Sequence, residues 1–237
     1  MKFLVKCIGG STAYGLNTPE SDIDYRGVFV NTNPAEIVGL DRFDVVQKQE
    51  TDDIVYYEVR RFFELLKEGN TGALEILFNE NFIEVSDEFE EVKKFRTSFI
   101  DVDRMYKCLL GYMQGERRLA NGERTGQLGS KRKAQLDKYG FSPKNATQLL
   151  RLAFCGNTLF HKGYFPVNVK TENVEIWEKL MSVKTTPEKY TKAQLNLMFD
   201  SADESVKQSY ITRSFFYQFD KDKANDLLRR IYLPYLR

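Results

Sequence analysis

Short apolar runs, each interrupted by turn-forming residues, characterise the first hundred positions of the chain. The run FLVKCI meets a glycine pair at once, which predicts a strand that ends in a turn. The later runs are equally short and are bounded by turn formers such as NTNP at 31–34. The strands predicted on this pattern cover 3–8, 22–30, 43–49, 53–57 and 81–85, with the third and fourth joined as a hairpin at Thr51–Asp52.

Helical spacing begins directly after the fourth predicted strand. Apolar residues repeat there at i, i+3, i+4 and i+7, at Val59, Phe62, Phe63 and Leu66. Gly69 is a natural stop for this helix. Two more helices are predicted in this half, one near 72–78 and one opened by Ser86 with acidic residues in its first turn.

From about Val102 onward the apolar pattern is helical. The predicted helices span 103–119, 143–162, 174–183, 187–200 and 220–232. Ser142 and Thr186 each precede a proline and are predicted N-caps, and Asp220 is a predicted N-cap of the last helix. The polar segment 120–133 is predicted to be a loop.

Strands mixed with helices, followed by helices alone, predict an α+β protein. We expect a small mixed sheet flanked by helices and then a helical C-terminal domain. The predicted domains are 1–100 and 101–237.

The composition excludes several classes of protein. Hydrophobic residues make up 42% and charged residues 29% of the 237 residues, as in globular rather than disordered or fibrous chains. A net charge of +1 gives no general attraction to nucleic acid or membranes. No signal peptide or membrane-length apolar run is visible, and the three cysteines follow no disulfide or metal pattern. We therefore expect a cytoplasmic protein without a membrane partner; the sequence leaves its oligomeric state open.

Positive charge is concentrated between Arg117 and Arg151. This stretch holds nine Lys or Arg against two acidic residues, so the rest of the chain is net acidic. On the predicted helix from 143, Lys144 and Arg151 are two turns apart and share a face, which makes both candidates for binding phosphates of a nucleotide or an RNA. For 131–133, a solvated loop is the preferred interpretation.

Two carboxylates, Asp22 and Asp24, are spaced by one residue in the second predicted strand. Alternate strand residues point to one face, so the two would lie side by side and repel unless a positive partner is present. Mg²⁺ held by two carboxylates keeps positions for water and phosphate oxygens. Gly9, Gly10 and Ser11 end the first strand, where glycine lets backbone N–H groups approach an anion. Together these features predict the chemistry of phosphoryl or nucleotidyl transfer.

The full motif resembles a known signature. Gly10-Ser11, Ala13-Tyr14-Gly15 and Ser21-Asp22-Ile23-Asp24-Tyr25-Arg26-Gly27-Val28 resemble the DNA polymerase β-type nucleotidyltransferases, and most closely the predicted nucleotidyltransferases of bacterial RNA repair operons (the RlaP type). Weaker similarity extends to about residue 170, at Asp53-Ile54, Arg60, Phe62, Gly69-Asn70, Leu74-Glu75, Lys138–Phe141, Lys144, Leu150-Arg151 and Gly163–Val167.

The resemblance implies a polymerase β-like nucleotidyltransferase fold and a set of site residues. Gly10 and Ser11 would contact the triphosphate of an NTP, and Asp22 and Asp24 would hold Mg²⁺. A third carboxylate on a neighbouring strand would bind a second Mg²⁺ that activates the attacking hydroxyl, and alignment with the family places it at Asp53.

Several assignments within this site stay open. Glu58 and Asp52 are alternatives to Asp53 as the third carboxylate. Arg26, on the same strand face as both aspartates by parity, is a candidate for nucleotide binding or for a structural ion pair. Tyr14 is a candidate for stacking on the nucleotide or for supporting the turn.

The chain also departs from the family pattern. The resemblance leads us to expect histidines where Asn145 and Gln148 stand and an aspartate near Ser142. These positions are candidates for substrate contact, so acceptor or nucleotide preference would differ here.

The function expected from the resemblance is Mg²⁺-dependent transfer of NMP from an NTP to a hydroxyl, with release of pyrophosphate. An RNA or tRNA end is the favoured acceptor. The alternatives are transfer to a protein or small molecule, as in antitoxin-like members of the superfamily, and a catalytically inactive nucleotide-binding partner protein.

Overall fold

The computed structural model of the chain describes residues 1–40, 43–49, 53–123 and 130–236. In these ranges the strands are β1 Lys2–Gly9, β2 Asp24–Val30, β3 Val45–Gln49, β4 Asp53–Glu58 and β5 Phe82–Val85. The α-helices there are α1 Gly10–Ala13, α2 Pro34–Val38, α3 Val59–Lys67, α4 Thr71–Phe78, α5 Asp87–Lys94, α6 Val102–Ala120, α7 Ser130–Tyr139, α8 Pro143–Lys162, α9 Val169–Glu172, α10 Val174–Thr185, α11 Lys192–Ile211 and α12 Lys221–Tyr232. The predicted α+β class is confirmed.

The described strands form one mixed sheet in the order β3-β4-β2-β1-β5. β1 pairs antiparallel with β2 and β5, β3 pairs antiparallel with β4, and β2 and β4 are parallel. Leu4, Val5, Val28 and Phe29 of the inner strands are buried, and α3, α4 and α5 pack against these strands. The predicted pairing of the third and fourth strands is present, whereas its connection at Thr51–Asp52 lies outside the described residues.

β2 begins at Asp24, two residues later than predicted. β1 ends at Gly9, whose register partner is Asp24, so no residue of β1 remains to pair with Asp22. The preceding turn is held by the Ser21 N–H, which donates to the Thr18 carbonyl, and by the Thr18 N–H, which donates to Ser21 Oγ, each at 2.9 Å. Asp22 therefore lies outside the strand and is exposed.

β4 passes directly into α3, as predicted. Glu58 is the N-cap of α3, and its Oε2 accepts a hydrogen bond from the Arg60 N–H at 2.8 Å. The helix stops just before Gly69, which has a φ of +75°. A Cβ there would lie in a tight contact 3.1 Å from the backbone of Met105, so the positive φ and the close surroundings both favour glycine.

The described chain divides into two compact units. Unit 1 comprises residues 1–105 and the segment from Phe216 onward, and unit 2 comprises residues 106–215. α6 contains the first boundary, close to the predicted one at residue 100. The prediction placed everything after residue 100 in one helical domain, whereas in the structure the last segment packs with unit 1. That unit 1 is catalytic stays a prediction.

Unit 2 is helical, and α8 packs with α10 and α11 in it. α11 begins at Lys192 rather than at Pro187, because Thr191 and Gln194 form a capping box, in which each side chain bonds the other's backbone N–H. Pro187 opens a three-residue 3₁₀ turn instead.

A second difference concerns the predicted loop at 120–133. Its last residues begin α7 at Ser130, because SKRKAQLDKY is rich in good helix formers, which the loop interpretation underweighted. Residues 124–129 lie outside the described part of the chain. Within that part, no helix has both the length and the apolar character needed to cross a membrane.

The last segment is anchored to unit 1 at both ends of α12. At its start, the Asp220 N–H donates to the Ser98 carbonyl at 2.8 Å, and Asp220 caps α12 as predicted. At its end, the Tyr232 hydroxyl donates to Glu58 Oε1 at 2.6 Å, and the Arg60 guanidinium lies over the Tyr232 ring. Burial, reinforced by the Glu58 carboxylate, raises the pKa of Tyr232 above its usual range.

Tyr232→Phe is expected to lower the free energy of unfolding of unit 1 by about 1–3 kcal/mol. The change leaves Glu58 Oε1, a buried carboxylate oxygen, with a single weak donor, the Asn31 N–H at 3.5 Å. Urea unfolding measures the loss, and Tyr235→Phe in the adjacent, partly exposed 3₁₀ turn is the control. Because the pKa of Tyr232 is higher in the folded than in the unfolded state, its contribution to stability is complete below the ordinary tyrosine pKa and is lost as the pH rises above it. The difference in unfolding free energy between wild type and Tyr232→Phe should therefore shrink above about pH 10. Equal losses in the two variants would contradict the prediction.

Candidate active site

The start of the parallel pair β2–β4 brings two carboxylates to one edge of the sheet. Asp24 is the first residue of β2, Asp53 is the first residue of β4, and the two are direct register partners. Gly9, the last residue of β1, pairs with Asp24 from the other side. The order β4-β2-β1 therefore places the glycine turn after β1 beside Asp24, with Asp53 one strand farther along the sheet.

Arg26 lies between these two carboxylates. Its Nη2 donates to Asp24 Oδ1 at 3.0 Å and to Asp53 Oδ2 at 2.9 Å, while Nη1 donates to the Asp53 carbonyl at 2.9 Å. All three side chains are partly buried. The positive partner that two adjacent carboxylates need is thus supplied, in this structure, by the chain itself.

Burial shapes the electrostatics of this cluster. Removal from water raises the pKa of Asp24, Arg26 opposes that rise, and the neighbouring Asp53 adds to it. Asp53 Oδ1 is buried and has no hydrogen-bond partner in the described structure. A buried carboxylate oxygen without a donor is costly, so this atom is suited to receive a cation or a donor from outside the chain.

Gly10 forms the other wall of the site. Its φ is +58°, and an added Cβ would lie 1.8 Å from Asp24 Oδ2. The backbone at Gly10 therefore rests directly against the carboxylate of Asp24, and no side chain fits between them. Ser11, predicted to contact a triphosphate with Gly10, follows in α1 and is partly exposed.

The Gly10 N–H is already engaged by a residue that we did not predict as part of the site. It donates to Glu75 Oε1 of α4 at 2.6 Å, and the Tyr14 hydroxyl donates to Glu75 Oε2 at 2.7 Å. Tyr14 is buried, so its ring supports the turn and is not available for stacking on a nucleotide. The sequence signal for Glu75 was a single acid within the apolar helix TGALEILF, at a position that the family resemblance included.

Asp22 is not brought into the cluster. It precedes β2 and is exposed, whereas the prediction placed it on the same strand face as Asp24. Among the described residues, no group of three or more Asp, Glu, His or Cys side chains is arranged to hold a metal ion. The role of Asp22 as a metal ligand stays a prediction.

The two alternatives to Asp53 have different outcomes. Glu58 lies at the other end of β4, opposite Phe29, and its oxygens bind Tyr232 and Arg60. Five residues of strand, about 16 Å, separate it from the first residue of β4. Glu58 is therefore a structural cap rather than a partner of Asp24. Asp52 lies outside the described residues.

The predicted phosphate-binding pair of α8 does not form one exposed face. Lys144 is exposed, but Arg151 is 2% exposed, and its Nε donates to Gln148 Oε1 at 3.1 Å. The seven-residue spacing along the helix did not predict the burial of Arg151, since burial depends on the packing of α8 with α10 and α11. Both residues belong to unit 2, and nucleotide binding by either stays a prediction.

The unusual residues of α8 also form structural contacts. Ser142 Oγ donates to Asn145 Oδ1 at 2.7 Å, and Asn145 Nδ2 donates to Glu116 Oε2 at 2.7 Å. Both Ser142 and Asn145 are buried. Their polar groups are therefore satisfied inside unit 2.

The acids of unit 1 have the chemistry that Mg²⁺ requires. Asp24 and Asp53 offer hard carboxylate oxygens at one sheet edge, and Asp53 Oδ1 has a vacant lone pair. The residues present fit a Mg²⁺ ion, provided that Arg26 gives up one of its hydrogen bonds to the two carboxylates.

Comparison with known proteins adds to this geometry. The family model described as RlaP, RNA repair pathway DNA polymerase beta family, matches residues 1–214. The chain belongs to the RlaP family. The resemblance of the glycine and aspartate motif is thereby confirmed, and membership indicates a polymerase β-like nucleotidyltransferase in an RNA repair context.

This RlaP chain is also similar to a curated protein of Enterobacteria phage T4, named "Uncharacterized 38.9 kDa protein in nrdC-mobD intergenic region". The two are 31% identical over 127 residues, which is 48% of this chain and 37% of the phage protein. The chain thus matches well under two thirds of that relative, whose name states no activity.

Proposed function

We propose that this RlaP-family protein is a Mg²⁺-dependent nucleotidyltransferase that transfers NMP from an NTP to the hydroxyl end of an RNA. The observation that carries the proposal is the pairing of Asp24 with Asp53 beside Gly10, within the motif that the family model matches. The RNA acceptor rests on the RNA repair description of the family. We keep the cytoplasm as the proposed compartment, on the sequence arguments alone.

The chemistry is an in-line displacement. The acceptor oxygen forms a bond to the α-phosphorus, the bond from that phosphorus to the bridging oxygen breaks, and pyrophosphate leaves with the electron pair. The proton of the attacking hydroxyl passes to water or to a carboxylate. Mg²⁺ held by Asp24 and Asp53, with Asp22 as the expected further ligand, would supply positive charge to the attacking and leaving oxygens.

The residues of the chain have separate tasks in this scheme. Asp53 Oδ1, buried and without a partner in the described structure, would accept a hydrogen bond from the attacking hydroxyl or bind the ion. Arg26 forms ion pairs with both acids in the structure, and a released guanidinium beside them would offer countercharge to the phosphates. Gly10 allows the Asp24 carboxylate to lie where the Cβ of any other residue would collide with it.

Incubation with each α-labelled NTP, Mg²⁺ or EDTA, and either total RNA or lysate protein tests the proposal. Mg²⁺-dependent label in RNA is the expected result. Label in protein alone would replace the RNA acceptor with the second candidate, which the near-neutral net charge of +1 favours. NTP binding without label would indicate an inactive binding partner, a reading favoured by the Arg26 ion pairs, and neither binding nor label would overturn the proposal.

A further inference from the structure

Glu75 is a buried carboxylate that reaches the site from outside the glycine and aspartate motif. It lies on α4, which packs against β1, and is 7% exposed. It forms no salt bridge in the described part of the chain, and it accepts hydrogen bonds there from two neutral donors, the Gly10 N–H and the Tyr14 hydroxyl. A carboxylate is costly to bury, and two short hydrogen bonds to it offset that cost.

The two donors come from opposite ends of the turn that follows β1. Gly10 is the first residue of α1, and Tyr14 is its C-cap. One carboxylate therefore ties both ends of this turn to α4. The contact is close, since a Cβ on Gly9 would lie 2.6 Å from Glu75 Oε1 and 2.4 Å from Arg26 Cγ.

The hydrogen bond between Glu75 and Gly10 is connected by further contacts to Asp24 and Asp53. Gly10 packs against the Asp24 carboxylate, and Asp24 shares Arg26 with Asp53. A continuous series of contacts thus runs from Glu75 through Gly10 and Asp24 to Asp53. A rotation of the backbone at Gly10 would remove the surface that limits where the Asp24 carboxylate can lie.

We propose that Glu75 is a positioning residue of the transfer reaction: by holding Gly10 and Tyr14 it sets the orientation of the Asp24 carboxylate. The inference rests on the proposed function of the same site. Glu75 touches neither substrate nor metal in this role and acts through the backbone of Gly10.

The chain contains a matched control for a merely structural role. Glu58 is also a buried carboxylate, 5% exposed, that accepts a short hydrogen bond from one backbone N–H and one from a tyrosine hydroxyl, with a second, longer backbone contact from the Asn31 N–H, but it does so at the far end of β4. Glu75→Gln and Glu58→Gln remove the same charge from equivalent hydrogen-bonding environments. Both are therefore expected to shift the midpoint of urea unfolding, and Glu75→Gln alone should act on the site.

The experiment compares both variants with wild type in kinetics and in amide NMR spectra of the full chain. For Glu75→Gln we expect kcat/KM to fall about 10²-fold, mostly through kcat, since a displacement of about 1 Å at a reacting group has that effect. For Glu58→Gln we expect a change of less than about threefold. The Gly10 and Asp24 amide resonances should move in Glu75→Gln and stay in place in Glu58→Gln.

Each outcome has a separate meaning. Equal kinetic losses in the two variants, or an unmoved Asp24 resonance in Glu75→Gln, would overturn the positioning role. Wild type that transfers no nucleotide to any acceptor would refute the proposed function, and the Asp24 resonance would then decide the positioning inference alone. If Glu75→Gln fails to fold, Tyr14→Phe removes one of the two donors, and the same resonance shift with about a tenfold loss of kcat/KM is expected from it.

Discussion

Asp24→Asn is expected to lower nucleotidyl transfer about 10³-fold while the protein stays folded. Asparagine keeps the shape of the side chain but removes the negative charge that a cation needs, and one of its two terminal atoms becomes a donor. The fold should survive, because Arg26 retains its bonds to the Asp53 side chain and carbonyl.

The measurement is kcat/KM for label transfer, together with the urea midpoint, for Asp24→Asn and wild type. Asp87→Asn is the matched control, since it makes the same chemical change at an exposed position in the first turn of α5. Undiminished transfer by Asp24→Asn would show that the activity does not use this sheet edge.

Gly10→Ala is expected to lower both transfer and stability. The added methyl group would lie 1.8 Å from Asp24 Oδ2 and 2.4 Å from Asp24 Cγ, so the carboxylate must leave its position. The φ of +58° adds strain of about 1–2 kcal/mol for a residue with a Cβ. We expect at least a 10²-fold loss of kcat/KM.

Gly140→Ala separates the effect of backbone strain from the effect of the collision with Asp24. Gly140 has a φ of +75°, and an added Cβ there meets no atom of the described residues within 4 Å. The control should therefore lose stability from backbone strain alone and keep its transfer activity. If Gly10→Ala lost no more activity than Gly140→Ala, the close packing of Gly10 on Asp24 would have no role in the reaction.

Local patterns predicted much of the sheet and part of the site. The strands and the helix after β4 followed from short apolar runs and spacing, and the family alignment put a carboxylate at Asp53, which the structure pairs with Asp24. The strand parity of Arg26 correctly indicated its side of the sheet. Whether it binds a nucleotide or forms a structural ion pair depends on distances, which parity does not give.

Other features depended on contacts between distant parts of the chain. Glu75 is 65 residues from Gly10, and only the packing of α4 on β1 brings it beneath the turn. The start of β2 was misplaced because it depends on where β1 ends. The segment from Phe216 onward belongs to unit 1, which its amphipathic pattern does not reveal, because such a pattern shows a buried face but not the surface that covers it.

The discontinuity of unit 1 has a consequence for synthesis of the protein. The whole sheet leaves the ribosome early, but Glu58 acquires its tyrosine partner only when residue 232 has been made. The intervening 110 residues of unit 2, 106–215, emerge first and can fold as an insertion. Nascent chains therefore carry Glu58 without its tyrosine partner until the segment from Phe216 onward has been made, so the completion of unit 1 follows the synthesis of unit 2.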